Sequence, residues 1–197
     1  NIFENYSIYG NKKIKDILNI FIKKKCNMIN PTFNDLYKLT KKTINILTVN
    51  IKTGEHEIFN KEKSGEINVC DAICASCAIP LLLPCININN NLYIDGAILH
   101  HYPCFIFKDD LENTIGMDIN TTYFKNDIIS FTDYIINLFG LIIKNLDNNN
   151  MKPYINICIS RCDAECLNFK MNKYTKKKLI NKGYEESKKI IDQKIIE

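Results

Sequence analysis

The tripeptide Asp95-Gly96-Ala97 sets an ionisable carboxylate beside two residues that leave space around it. On its own Asp-Gly reads as a turn, since it is among the commonest turn pairs. The residues before it change that reading. Leu92-Tyr93-Ile94 is a short apolar strand, so Asp95 would stand at a strand end, on the edge where α/β sheets place their active sites. Gly96 removes the neighbouring side chain, letting a second backbone or a substrate come close. A carboxylate in that position can take a proton from a serine hydroxyl, directly or through a water, and so activate it.

Other reactive residue types carry weaker patterns. His100 and His101 are adjacent, so their side chains diverge, and a loop or edge position accounts for both. Ser76 lies in Cys74-Ala75-Ser76-Cys77, without the strained elbow that exposes an attacking hydroxyl, and is read as packing or capping. Cys77 is read as a core thiol rather than a reactive thiolate. Cys74 and Cys77 form a CxxC with no second pair at zinc-ribbon spacing. Cys158, Cys162 and Cys166 recur every four residues, yet no histidine lies near to complete a metal site. Asp118 reads as a strand-end residue, and the lysines from Lys173 to Lys178 as a solvated helix start. No cofactor or metal is expected.

The elements that must position these residues follow from periodicity. Ile14, Ile17, Leu18, Phe21 and Ile22 recur at helical spacing within Lys12–Cys26, with lysines expected on the other face. Thr32, with Asp35 three residues on, caps a short second helix. A strand marked by Ile44, Ile46, Val49 and Ile51 turns at Lys52-Thr53-Gly54-Glu55 and returns over His56–Phe59 as a hairpin. Cys70–Ala78 is a short helix that ends before Pro80. Leu81–Ile88 is extended, Asn89-Asn90-Asn91 turns, and Leu92–Ile94 leads to Asp95. Strands at Ile115–Ile119 and Tyr154–Ile159 flank a helix opened by Ser130 and Asp133. Asp147–Asn150 is a polar loop, and a last helix covers Lys176–Ile196. Strands alternating with helices define an α/β class, with a sheet made mixed by the hairpin.

Composition narrows the function classes. The 197 residues, 46% hydrophobic and 24% charged, suffice for a domain with its own core. The net charge of +4 is modest, and Arg161 is the only arginine. Nucleic-acid readers favour arginine for its bidentate contacts, so no nucleic acid is expected as partner. Nine cysteines, an odd number scattered through apolar runs, read as free thiols in a reducing compartment, cytoplasmic or at the periphery of a membrane. The most apolar stretch, Ile128–Lys144, is broken by Asp133 and falls short of the roughly 20 residues a membrane span needs.

The wider context of Asp95 resembles one family. Ala75-Ser76-Cys77-Ala78-Ile79-Pro80, then Pro84, then Tyr93-Ile94-Asp95-Gly96-Ala97, then Pro103 stand in the order of the patatin-like phospholipase signature. Thr32-Phe33-Asn34-Asp35-Leu36-Tyr37 looks like its Thr-Phe-x-x-Leu helix start, and Thr48-Val49-Asn50 like its central strand. The resemblance runs from about Tyr9 to Pro103, more loosely to the final helix, and is closest to versions from large DNA viruses. His100-His101 depart from the asparagines the family often has there, as does the lack of a basic residue near Cys74, which puts substrate preference in question.

The resemblance implies a patatin-type three-layer α/β sandwich with a mostly parallel central sheet, of which residues 1–197 are the C-terminal part. It implies hydrolysis of fatty-acyl esters of phospholipids or lysophospholipids at a membrane surface by a serine–aspartate dyad. Asp95 is then the dyad base, supported by Gly96 and Ala97, while Leu81, Leu82 and Leu83 line an acyl pocket. The family's Gly-x-Ser-x-Gly elbow and glycine-rich oxyanion loop are absent from these residues. They are expected before Asn1, together with the first strands of the sheet. The alternative is a noncatalytic lipid-binding or interaction module on the same scaffold.

Overall fold

The computed structural model describes residues 6–119, 128–146, 152–159 and 171–196. The Asp147–Asn150 run, Arg161, Cys162 and Cys166 lie outside the described residues. The chain divides into two compact units, Asn1–His101 and Tyr102–Glu197.

The first unit opens with helix α1, Lys12–Cys26, closed by Asn27 in the left-handed conformation. Helix α2, Phe33–Thr40, starts at the expected capping box: the Asp35 amide donates to Thr32 Oγ1, and the Thr32 amide to Asp35 Oδ2. Strands β1, Ile46–Asn50, and β2, Glu55–Phe59, form the hairpin. Gly54 supplies the positive φ its turn requires, and the Gly54 amide closes onto the Asn50 carbonyl. A short helix α3, Lys61–Ser64, leads to α4, Val69–Ser76, whose first amides are capped by the Asn68 side chain. Strands β3, Ile86–Ile88, and β4, Asn91–Asp95, complete the sheet. Asn89 and Asn90 both have positive φ, the geometry of a two-residue hairpin turn that asparagine tolerates.

The sheet order is β2-β1-β4-β3 and every pairing in it is antiparallel. The β1–β2 and β3–β4 links are too short for the crossover a parallel neighbour needs. The parallel pairing anticipated for the central sheet is found, among the described residues, only in the second unit. There β5, Ile115–Ile119, and β6, Ile155–Ile159, run parallel, with helix α5, Phe131–Leu146, in the connection. Helix α6, Lys173–Ile196, packs on β6.

The core of the first unit lies on one face of its sheet. Ile46, Phe59, Ile86, Ile88 and Tyr93 meet Phe33 of α2 and Val69, Ala72, Cys74 and Ala75 of α4. α1 adds Ile14 and Leu18 at the edge of this cluster. Its remaining face departs from the expected pattern: Ile17, Ile20 and Phe21 point outward among lysines. Lys15, conversely, turns toward α4 and pairs with Asp71 at 2.5 Å. That hydrogen bond, more than burial opposes it, raises the Lys15 pKa.

Candidate active site

Asp95 is the last residue of β4, with its Cα opposite Thr48 of the fully buried β1. Its amide donates to the Ala78 carbonyl at 3.1 Å, in the turn that follows α4. Its carboxylate oxygen Oδ1 accepts the Ala97 amide at 2.9 Å, capping a single 3-10 turn over Gly96–Ile98. The residue is thus held from two sides: its main chain by the strand pairing and the Ala78 carbonyl, its carboxylate by the turn in front. Ala78, 1% exposed, has a methyl in place of a larger group, which allows that turn to close against the strand end.

Gly96 meets the second backbone that its lack of a side chain allows. A Cβ there would lie 2.7 Å from the Leu47 carbonyl oxygen and Cγ, and 2.8 Å from the Leu47 carbonyl carbon. Such separations are well inside contact distance, and two of the three atoms are backbone that cannot swing away. Glycine at 96 therefore sets how closely the turn after Asp95 packs on β1.

The electrostatic setting of Asp95 is mixed. Burial pushes its pKa above the ordinary carboxylate range, while the Ala97 N–H and the nearby His101 pull it down, with burial the larger effect. Cys77, expected in the core, instead stands exposed at the C-terminal cap of α4. Surrounding protein still desolvates its sulfur, and together with the negative charge of Asp95 it pushes the thiol pKa up. A thiol so placed keeps its proton and is a poor nucleophile. Cys74 is buried behind it, its thiol pushed up to about 11, first by burial. Ser76 ends α4, half-buried.

The two histidines separate as anticipated. His100 turns to β2, with Nε2 3.2 Å from His56 Nδ1 and the rings edge-to-face. Burial, then the His56 charge, lowers its pKa. His101 lies near enough to Asp95 to act on its charge. The His56–His100 contact, 44 residues apart in sequence, had no local signal.

The three leucines after Pro80 differ from one another. Leu81 is exposed and holds a positive φ, Leu82 is buried and Leu83 half-buried. The Ile8 and Tyr9 amides donate to the Leu81 and Leu82 carbonyls at 2.8 and 2.9 Å, binding the segment before α1 to this loop. Among the described residues no three His, Cys, Asp or Glu side chains gather closely enough to hold a metal ion, and no helix is long and apolar enough to cross a membrane. The described cysteines are all free.

The family profile for patatin-like phospholipase matches residues 2–108. An uncharacterized protein of Acanthamoeba polyphaga mimivirus is 27% identical over 145 residues, covering 70% of this chain and 48% of that protein. A protein of Invertebrate iridescent virus 6 named "Probable lipid hydrolase" is 29% identical over 72 residues, 36% of this chain and 25% of its own length. The matched stretches therefore span less than half of either relative.

Proposed function

The chain belongs to the patatin-like phospholipase family, and on that premise we propose that it supplies the aspartate half of a lipid acyl hydrolase. The observation that carries the reading is the state of Asp95: a strand-end residue whose main-chain amide is held by the Ala78 carbonyl, whose carboxylate is held by the Ala97 amide, and which is desolvated enough to bind a proton more readily than a free aspartate. A raised pKa suits a group that must accept a proton during reaction.

In this reading a serine from outside these 197 residues attacks the acyl carbonyl of a phospholipid or lysophospholipid. Its proton passes to Asp95 and on to the departing alcohol. A water then repeats the step on the acyl-serine, releasing the fatty acid and restoring the serine. No metal or cofactor enters these steps. Leu81 and Leu83, beside the turn that holds Asp95, are the apolar groups offered to the acyl chain, whereas the buried Leu82 supports the loop from within.

Release of free fatty acid from a defined phospholipid by the full native protein tests this directly. The wild type should release fatty acid without added metal, and Asp95→Asn should not. Equal release by the two proteins would remove Asp95 from the chemistry.

A further inference from the structure

Helix α1 has two unlike faces. Ile14, Leu18 and Ile22 turn inward and are half-buried, and Lys15 and Asn19 fasten the helix to α4 through Asp71 and the Cys70 thiol. The opposite face holds Ile17, Ile20 and Phe21 at 53%, 64% and 60% exposure. Lys13, Ile17, Ile20 and Lys24 follow one another at spacings of four, three and four residues, so they form a single line along the outside of the helix. That line is apolar in the middle and cationic at both ends. The helix carries six lysines against one acid, Asp16.

The segment leading into α1 is bonded to the loop that follows α4. Tyr6, Ile8 and Tyr9 are exposed, and the Ile8 and Tyr9 amides bind the carbonyls of Leu81 and Leu82. That loop begins just after Ala78, whose own carbonyl holds the Asp95 amide. Lys12 follows Tyr9 by three residues, at most about 11 Å of chain. Exposed apolar groups thus stand both on the outer face of α1 and in the adjoining segment bonded to the loop next to the candidate catalytic carboxylate.

We propose that this surface, the outer face of α1 with Tyr6, Ile8, Tyr9 and Leu81 beside it, rests on an anionic phospholipid bilayer. The choice of a bilayer rests on the lipid-hydrolase reading above, and the choice of surface on the exposure and charge of α1. Isoleucine and phenylalanine enter the boundary between headgroups and acyl chains, while lysines extend alongside to the anionic headgroups. A duplex or strand of nucleic acid would engage the lysines and leave the apolar line uncovered. An anionic bilayer matches both features of the line at once.

The test is co-sedimentation of the full native protein with vesicles of phosphatidylcholine alone or with about a third phosphatidylserine. Binding to the anionic vesicles should be at least about tenfold tighter and should weaken with salt. Lys13→Glu with Lys24→Glu should lower it at least tenfold, at about fivefold or more per lysine. Ile17→Ser with Phe21→Ser should lower it on both kinds of vesicle. All four side chains lie on the surface, so melting temperatures should stay put. Lys38→Glu with Lys42→Glu makes the same charge change away from α1 and should have little effect. Equal weakening by that control, equal binding to neutral and anionic vesicles, or indifference to the α1 substitutions would each overturn the proposal. Hydrolysis of a short-chain, water-soluble ester separates the two readings. A protein that cleaves it yet never binds vesicles, or pairs through α1 with a protein instead, is a hydrolase without this docking surface. One that binds anionic vesicles through α1 yet cleaves no ester keeps the surface and loses the hydrolase.

Discussion

Two carboxylates stand in one row across the antiparallel sheet, Glu57 on β2 and Asp95 on β4, each opposite Thr48 of the strand between them. Directly opposed residues share a face, so both side chains rise from the same side of the sheet. Their surroundings differ. Glu57 Oε1 accepts Asn50 Nδ2 at 2.7 Å and Oε2 accepts the Tyr93 hydroxyl at 2.9 Å, so each oxygen has a donor. The Tyr93 proton is held firmly there: burial first, then the bond to Glu57, push its pKa up to about 12. Burial raises the Asp95 pKa, and among the described residues its carboxylate has one hydrogen-bond donor, the Ala97 amide. A satisfied carboxylate locks three strands together. A partly satisfied one keeps capacity for a proton, and that capacity is what chemistry uses. The same functional group on the same face is thus saturated by donors at one place and only partly so at the other.

Exchanging each carboxylate for a neutral group should separate the two roles. Asp95→Asn keeps the shape and the acceptor for Ala97. Ester turnover by the native protein should fall roughly 100- to 10,000-fold, the range for loss of a general base, with the melting temperature unchanged or slightly higher. Glu57→Ala should do the reverse. It strands the Asn50 amide and the Tyr93 hydroxyl, at a cost of about 1–3 kcal/mol in denaturant unfolding, while the folded fraction turns over ester at the wild-type rate. If Glu57→Ala cost activity and no stability, the contrast would fail.

A smaller effect is expected at Gly96. Gly96→Ala forces a methyl against the Leu47 backbone, which should destabilise by about 1–3 kcal/mol, as overpacking does. Because the displaced turn carries the Ala97 amide, turnover should fall as well. That joint loss would mark Gly96 as a positioning residue shared by fold and site. Wild-type stability in Gly96→Ala would show that the turn can move off β1 freely.

How much of this could be read from the sequence depended on how local the cause was. The capping boxes at Thr32/Asp35 and Ser130/Asp133 are complete within four residues, and both stand as expected. The β1–β2 hairpin and the strand ending at Asp95 were likewise written in short alternations and turn residues. The mostly parallel central sheet was inferred from family likeness rather than from loop lengths. The two-residue link between β3 and β4 already required antiparallel neighbours in this part of the chain. Distant causes left no trace. Gly96 is small because Leu47 passes behind it, and Cys77 leaves the core because α4 stops one residue earlier. In α1, periodicity counted Ile17 and Phe21 as core because it registers hydrophobicity and not the width of the surface that receives it.

The subtlest difference between the two carboxylates should appear as pH is varied. Asp95 has a folded-state pKa raised above the ordinary 3.8, mainly by burial. The folded protein therefore binds a proton there more readily than the unfolded chain does. Between the ordinary and the raised pKa the native state holds the extra proton, so its stability declines as pH climbs through that window. Asp95→Asn cannot ionise and escapes the decline. The stability of this variant relative to wild type should grow with pH across the window and level off above it. The same raised pKa sets activity, because the base works only when deprotonated. The acid limb of the kcat/KM profile on a soluble ester should accordingly lie above the ordinary carboxylate value. His101 opposes burial through its charge, so His101→Gln should move that limb higher still, while Glu57→Ala should leave it in place. An acid limb at or below the ordinary value in the wild type would mean that Asp95 is not the group whose ionisation turns the reaction on.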